Sequence, residues 1–572
     1  MSAYFTFTKS IPLLTLSIAA LLSACGGSDN KSGDLGENRN LDSFSIEGAV
    51  FASKVNGAIV NIEDSLSNRI GGTASSNAEG VYVLNVDAND AQLGSYFLKS
   101  SGGTYIDEAT GDTKNAGELM AYIDSDILVD NKVNLTPGST IIARLIKDEG
   151  LSSEQAYTHF EKAFSYRPDI SLTPIDVTED GSSNANAKQR LAGLRAAAFS
   201  QLAADLGFDQ FDLLKAMARD LADGELDGEN SGNHVFVGDS IDRHLPEDVR
   251  VKHVGGLMSF FLSERNKSGL GNAEIGTLPQ FDAVKTASYK VKYIPAEEEQ
   301  ATMGRNAFTL KVTDHDGVAV TGKEISLKPL MNMSGHKHTT AFSSVEEGVE
   351  GHYSGDIYYV MASQMASGDT MGWWQLSVCI GEDGPMSMPM PMATMDMPGM
   401  SVCPMGSEEA VFYPSVTMKM GVRATVKGGG NDQIPTMIES ETQARSYHLF
   451  KHSAVEGMGD AMGTYHAHVY IAAVESMHNF PGLNVGTVLN AGTDSELAVN
   501  TIAVEFSNDE GVTWTAASNG HGGGLWAADM SGMAGTMQIR LAINGEVKML
   551  GDADHAELDM GADMGEMEHM GH

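Results

Sequence analysis

Apolar and polar positions along the chain change period twice. From about Ser45 to Asp124, short runs alternate apolar and polar residues between turn residues. Ile46–Phe51, Val55–Ile62 and Ala78–Val86 are each predicted as a strand with one buried face. From residue 130 to about 275 the spacing lengthens to that of a helix. Thr136-Pro137 opens a run with Ile141, Ile142 and Leu145, and Ser152 with Gln155 three residues on forms a capping box ahead of Ala156, Phe160 and Phe164. Longer helices are predicted over Asn186–Leu206 and Phe211–Asp223. Alternation returns near Ala287, in Tyr289–Tyr293, Ala307–Thr313, Glu324–Pro329 and Thr464–Tyr470. The expected fold class is a multidomain, mainly β protein: immunoglobulin-like β-sandwich modules with a helical segment between them and a disordered Met/His-rich tail.

Both ends of the chain stand apart from this pattern. Residues 1–24 read as a signal peptide, with Lys9 ahead of an apolar run from Ile11 to Leu22 that is too short for a permanent bilayer span. The run ends in Leu22-Ser23-Ala24-Cys25-Gly26, which resembles the lipobox of bacterial lipoproteins. That resemblance implies cleavage before Cys25 and acylation of it, so that outer-membrane lipid is a partner. Gly26 in place of Asp implies the outer membrane as the site, facing the periplasm or the exterior. The other reading is an ordinary signal with a chance cysteine. The partition that follows is 1–24 signal peptide, 25–44 lipidated tether, 45–128 first β-sandwich and 129–280 helical domain. Residues 285–427 are then a sandwich with a Met-rich disulfide loop, 435–552 a second β module after Gly428–Gly430, and 553–572 a disordered tail.

Composition narrows the function. A formal net charge of −39 over 572 residues leaves no basic surface for phosphates, which argues against nucleic acid as a partner. It concentrates cations near the protein without choosing among them. Of 32 methionines, 28 lie after residue 300, as do 13 of 17 histidines, whereas core filling would spread them evenly. Soft ligands therefore belong to the back half of the chain.

Three stretches carry that chemistry. Between Cys379 and Cys403 stand Met386, Met388, Met390, Met392, Met395, Met397 and Met400, spaced by prolines that forbid a helix. Their neighbours are Pro, Ser, Gly, Asp and Thr, which build no core, so the expectation is a thioether site for Cu(I) rather than pliable core filler. A flexible, oxidation-absorbing tract is the competing reading. The two cysteines are expected to form a disulfide, closing the loop at about 3 kcal/mol in the chain-entropy treatment, with a pair of thiolate ligands as the alternative. Second, Met331, Met333, His336 and His338 form an M-x-M-x-x-H-x-H cluster suited to Cu(I) through sulfur and Cu(II) through imidazole. Third, the end of the chain repeats the ligand set in Met564, Met567, His569, Met570 and His572. In addition, His466 and His468 fall on one face of an alternating run, with His448, His452, Met477 and His478 nearby; metal sharing and a plain surface pair are equally open.

Several segments resemble known families. Val55-x-Gly-Ala-x-Val60 followed by Ala78-Glu-Gly-x-Tyr-x-Leu84 resembles carboxypeptidase-regulatory-like β-sandwiches, which implies a stalk or spacer. Asn306 to Leu327 with Met331–His338, Gly351-His-Tyr-Ser-Gly355 and Gly372-Trp-Trp-Gln-Leu-Ser-Val378 is similar to YtkA-like domains. That family implies a small extracytoplasmic β-sandwich found near copper-handling proteins, and the Cys379–Cys403 insertion departs from it. Ser507-Asn-Asp509-Glu-Gly511-Val-Thr513-Trp514 resembles the Asp-box of sialidase-like propellers; standing once, it implies a hairpin with Trp514 packed beneath.

The functional expectation is a cell-envelope copper-binding lipoprotein that sequesters, stores or delivers Cu(I), with Cu(II) second, to a copper-transfer partner. No nucleophile–base pair, glycine-rich phosphate loop or open-site metal triad stands out, so a binding protein is expected rather than an enzyme. The alternatives are an envelope adhesion or glycan-binding protein with incidental methionine, and an accessory factor for assembly of a copper enzyme.

Overall fold

In the computed structural model the described residues are 44–86, 95–124, 132–276, 278–296, 300–333, 336–365, 367, 369–381, 403–436, 441–457, 463–520 and 522–561. The first eight strands are β1 (Phe44–Ala49), β2 (Ile59–Asp64), β3 (Arg69–Ser75), β4 (Val81–Val86), β5 (Tyr96–Ser101), β6 (Thr104–Ile106), β7 (Thr113–Asn115) and β8 (Leu119–Ile123). In β4, Tyr82, Leu84 and Val86 are buried while Val81, Val83 and Asn85 face outward, the period that one-sided burial imposes. β4 pairs with β1, and a four-stranded sheet in the order β3-β2-β5-β8 shares its core.

The helices follow. Thr136 caps α1 (Pro137–Lys147), and Ser152 and Gln155 satisfy each other's backbone at the start of α2 (Ser153–Phe164). α3 (Ala187–Leu206) ends at Gly207 in the left-handed conformation, φ 66°. Then come α4 (Gln210–Asp220), the small hairpin of β9 (Glu229–Asn230) and β10 (Asn233–His234), and α5 (Val249–Leu262). These helices have no core of their own. Ile141, Phe160 and Leu214 pack with the first sandwich, Val254 and Phe260 with the next, and α3 serves both through Phe199 and Leu202 on one side and Leu194 and Ala197 on the other. The helical segment is therefore a joint between sandwiches. Periodicity marks the apolar stripe of a helix but not what covers it.

The second sandwich comprises β11 (Ala283–Lys285), β12 (Lys290–Pro295), β13 (Gly304–Thr313), β14 (Glu324–Met333), β15 (His336–His338), β16 (Ala341–Phe342), β17 (Glu346–Glu347), β18 (His352–Tyr359), β19 (Trp373–Gly381) and β20 (Glu408–Phe412). One sheet runs β11-β12-β13-β18-β16 and the other β15-β14-β19-β20. Cys379 near the end of β19 is disulfide-bonded to Cys403.

The third sandwich comprises β21 (Arg423–Lys427), β22 (Gln433–Pro435), β23 (Thr442–Ala444), β24 (Ser446–Glu456), β25 (Thr464–Val474), β26 (Val488–Leu489), β27 (Leu497–Ala498), β28 (Ile502–Ser507), β29 (Thr515–Ala516), β30 (Leu525–Ser531), β31 (Thr536–Ile543), β32 (Glu546–Val547) and β33 (Ala556–Asp559). Its sheets are β21-β24-β25-β30 and β29-β28-β31-β32, with β33 also on β31. Two boundaries differ from the sequence partition. β21, placed in the preceding module, pairs with β24, because the alternation of a short strand does not say which sheet it joins. Residues 553–561, placed in the tail, continue the fold: Ala556, Leu558 and Met560 are buried, and Lys451 Nζ donates to the Gly561 carbonyl at 2.6 Å. The Gly428–Gly430 segment is likewise pinned, since buried Asp432 just after it pairs with Arg445 and Lys548, both nearly inaccessible.

The second and third sandwiches meet directly. Tyr358 stacks on Tyr470 with ring centroids 4.1 Å apart, and Tyr470 Oη donates to the Phe342 carbonyl at 3.1 Å.

Candidate metal centre

The M-x-M and H-x-H pairs fall on the two arms of one hairpin. In the β14–β15 register Met331 lies opposite His338 and Met333 opposite His336. Met331 is fully buried, His338 nearly so, and Met333 half-buried. The two thioether side chains converge beneath Gly372. A Cβ at that position would stand 2.8 Å from Met333 Cγ and 3.0 Å from Met331 Cε, and 2.6 Å from the Asn332 carbonyl oxygen, so only hydrogen fits. Trp374 lies opposite Met331 in register and meets the His338 ring edge-on at 5.2 Å. His338 Nδ1 is 3.0 Å from the Thr339 carbonyl oxygen, which puts the proton on Nδ1 and the lone pair on Nε2, the form that ligates metals. Two thioethers, an imidazole and an indole thus occupy one neighbourhood. This uncharged, soft donor set fits Cu(I), and an indole adds attraction for a cation through its ring quadrupole. Met331 is at the same time part of the sandwich core.

The methionine loop is anchored elsewhere. Along β14 and β19, Met331 faces Trp374 while Ser326 faces Cys379, which puts the disulfide roughly 17 Å from the hairpin at about 3.4 Å per residue. Both sulfurs are in the bond, so neither cysteine is a thiolate ligand. Met386, Met388, Met390, Met392, Met395, Met397 and Met400 lie outside the described residues, as do Cys25, Met564, Met567, His569, Met570, His572 and the side chain of His336.

The histidines of the third sandwich form a row across two strands, with a carboxylate from a third beside it. Tyr465, Ala467 and Val469 point into the core, leaving His466 and His468 on the outer face. Their rings are 4.5 Å apart, and His452 of β24 adds a third ring 5.9 Å from His468. His452 sits where the β24–β25 register slips between Lys451 and Ser453, a bulge that re-aims the side chain. His466 Nδ1 contacts Asp529 Oδ1 of β30 at 2.6 Å, His468 Nδ1 contacts Ser453 Oγ at 3.1 Å, and Tyr358 Oη meets His452 Nδ1 at 2.8 Å. Each of these imidazoles thus has an oxygen partner at Nδ1, and imidazole is a ligand type for Cu(II) or zinc.

Several other histidines and methionines of the back half are tied into the fold. His448 is held against Thr425 Oγ1 at 2.9 Å, and burial with the nearby Arg423 charge pushes it down to about 3. His352 Nδ1 lies 2.9 Å from the Val349 carbonyl in a turn. Met361 and Met371 are half-buried against the second core. The Asp-box closes a hairpin between β28 and β29. Asp509 accepts from Thr513 N at 2.9 Å and Thr513 Oγ1 at 2.6 Å, hydrogen bonds that hold it down to about 2. Trp514 is half-buried under the Arg540 guanidinium at 4.0 Å.

One cluster has no counterpart in the sequence reading. His234, His244 and Glu247, scattered in the chain, come together beside β10. None of the three lies in a regular helix or strand shared with another; the bridge between Phe236 and His244 and the hydrogen bonds flanking it bring His244 back beside His234.

Neither a protein-family model nor a curated protein matches this chain. Among solved structures, the Escherichia coli adhesin FdeC aligns at 14% identity and TM-score 0.14 over 48% of this chain and 65% of its own. The Yersinia pseudotuberculosis protein InvD aligns at 12% and 0.14 over 47% and 57%, and the adhesin InvE of the same organism at 10% and 0.13 over 47% and 58%. This chain spans less than two thirds of the length of each of them. Likenesses this slight carry no argument about what the chain does.

Proposed function

We propose that this chain is a cell-envelope copper-binding lipoprotein that holds Cu(I) on thioether-rich sites and Cu(II) on histidine sites, to sequester, store or deliver the ion. The observation that carries this reading is the convergence of Met331 and Met333 under Gly372 beside His338. The ion is cargo. Thioethers and neutral imidazole bind it without giving up a proton at sulfur, so uptake does not depend on thiol chemistry. The half-buried Met333 is the point of entry, with Met331 and His338 completing the grip from inside. The acidic surface raises the local cation concentration, and handing the ion to a copper-transfer partner proceeds by ligand exchange. The Leu22–Cys25 motif supports anchoring through an acylated Cys25, and resemblance to YtkA-like domains supports an extracytoplasmic setting.

The test is a Cu(I) titration of the mature protein against a chromophoric chelator, wild type beside the double variant Met331→Leu/Met333→Leu. The expected result is loss of one tightly held equivalent with the fold intact, since Leu and Met are near-isosteric. Identical competition curves would rule the hairpin out as a copper site. Cys25→Ser is expected to move the protein from the membrane fraction to the soluble one.

A further inference from the structure

Between α4 and α5 the chain builds a cluster that contains no sulfur. One ligating atom each from His234, His244 and Glu247 lie within 4.8 Å of one another. The backbone that presents them is closely specified. The turn joining β9 to β10 has Ser231 at φ 51° and Gly232 at φ 79°, the two left-handed residues of a type I′ hairpin, and it sets His234 opposite Glu229. Val235, Val237 and Leu245 bury in the first core. Hydrogen bonds from Val237 N to the Arg243 carbonyl at 2.9 Å and from Leu245 N to the Val235 carbonyl at 2.8 Å fold the chain back. His244 therefore stacks on His234, with ring centroids 4.7 Å apart and planes 28° from parallel.

We propose that His234, His244 and Glu247 form a site for a borderline divalent cation of the zinc class, separate from the sulfur-based copper sites. Two imidazoles and one carboxylate are the ligand types zinc takes, and without a thioether there is nothing to favour a monovalent soft ion. His244 Nδ1 lies 2.8 Å from the Leu245 carbonyl oxygen, an arrangement that holds the proton there and turns the Nε2 lone pair to the metal. The carboxylate of Glu229, which also pairs with Lys285, lies 3.8 Å from His234 Nδ1, an ion-pair distance beyond a hydrogen bond. Tetrahedral binding at about 2.0–2.1 Å brings ligand atoms to about 3.3 Å of each other. The exposed His234 side chain closes that gap by rotation about its own bonds. Three protein ligands leave the fourth position to water or to a ligand from a partner, so the ion is exchangeable.

This inference does not rest on the copper reading. The experiment is equilibrium dialysis of the mature protein with zinc, supported by the visible absorption of Co2+ as a reporter of four-coordinate nitrogen–oxygen ligation. His234→Ala, His244→Ala and Glu247→Gln are each expected to weaken one zinc equivalent at least ten-fold, while Met331→Leu/Met333→Leu and His466→Ala/His468→Ala leave that equivalent in place. An unchanged isotherm in His234→Ala overturns the proposal, as does loss of the equivalent in the His466/His468 variant instead. If His244→Ala unfolds, His234→Ala decides, because that side chain is exposed and carries little of the fold.

Discussion

Met331-x-Met333 on β14 and His466-x-His468 on β25 are the same device, two candidate ligand residues two positions apart on a strand, and the fold treats them oppositely. The methionine pair faces inward, with Met331 fully buried opposite Trp374. The histidine pair faces outward, and the His466 side chain is 44% exposed beside an Asp529 that is 88% exposed. Spacing of two guarantees a shared face but does not say which face the other sheet covers. The contrast matters chemically. Buried Met331 is shielded from water and oxidant but must also serve as packing, whereas the outward imidazole row is open to solvent and contributes little to the core.

The largest expected break in that symmetry is in stability. Met331→Ala should cost about 2–5 kcal/mol in urea denaturation, the range for truncating a buried side chain, while His466→Ala should stay within about 0.5 kcal/mol. Equal effects would mean that the hairpin is looser than its burial indicates. Next, replacing Cys379 and Cys403 together with serine should cost about 3 kcal/mol through loop closure. The hairpin's Cu(I) affinity should nonetheless be unchanged, because the disulfide lies at the far end of the sheet; thermal unfolding and chelator competition on the same sample check both.

A smaller effect concerns pH. Burial pushes His448 and His253 down to about 3, well below the unfolded value near 6.5. Between those values the unfolded chain binds more protons than the folded one, so each histidine removes stability as pH falls, by up to about 1.4 kcal/mol per pH unit. Glu108 and Asp220, pushed up to about 8 by burial, act in the opposite sense and lose their contribution as pH rises. The readout is therefore the difference between wild type and His448→Leu, whose urea midpoint should fall less steeply from pH 6.5 to 4.5. The smallest change in stability is expected for Met333→Leu, under about 1.5 kcal/mol, accompanied by at least a ten-fold loss of Cu(I) affinity at the hairpin.

Much of this arrangement is legible along the chain, for local reasons. The capping box at Ser152, the helix stop at Gly207 and the turn made by Asp509 each depend on residues within four positions of one another. The M-x-M and H-x-H pairs come from the same kind of local pattern. His452 is harder to see, because it joins His466 and His468 only through a bulge and a cross-strand register. His234 and His244 are harder still, being brought together by a bridge between Phe236 and His244 and the backbone hydrogen bonds that flank it.

By itself the sequence determined the element types, the alternation that pairs ligands on a face and the concentration of soft donors after residue 300, because each follows from side-chain chemistry and near-neighbour backbone geometry. Tertiary structure alone decided which faces turn inward and which strands join which sheet. It also decided that α3 knits two cores together and that His244 comes to rest on His234. Those outcomes depend on contacts between distant segments, whose free energy comes from surfaces that a linear pattern leaves unpaired.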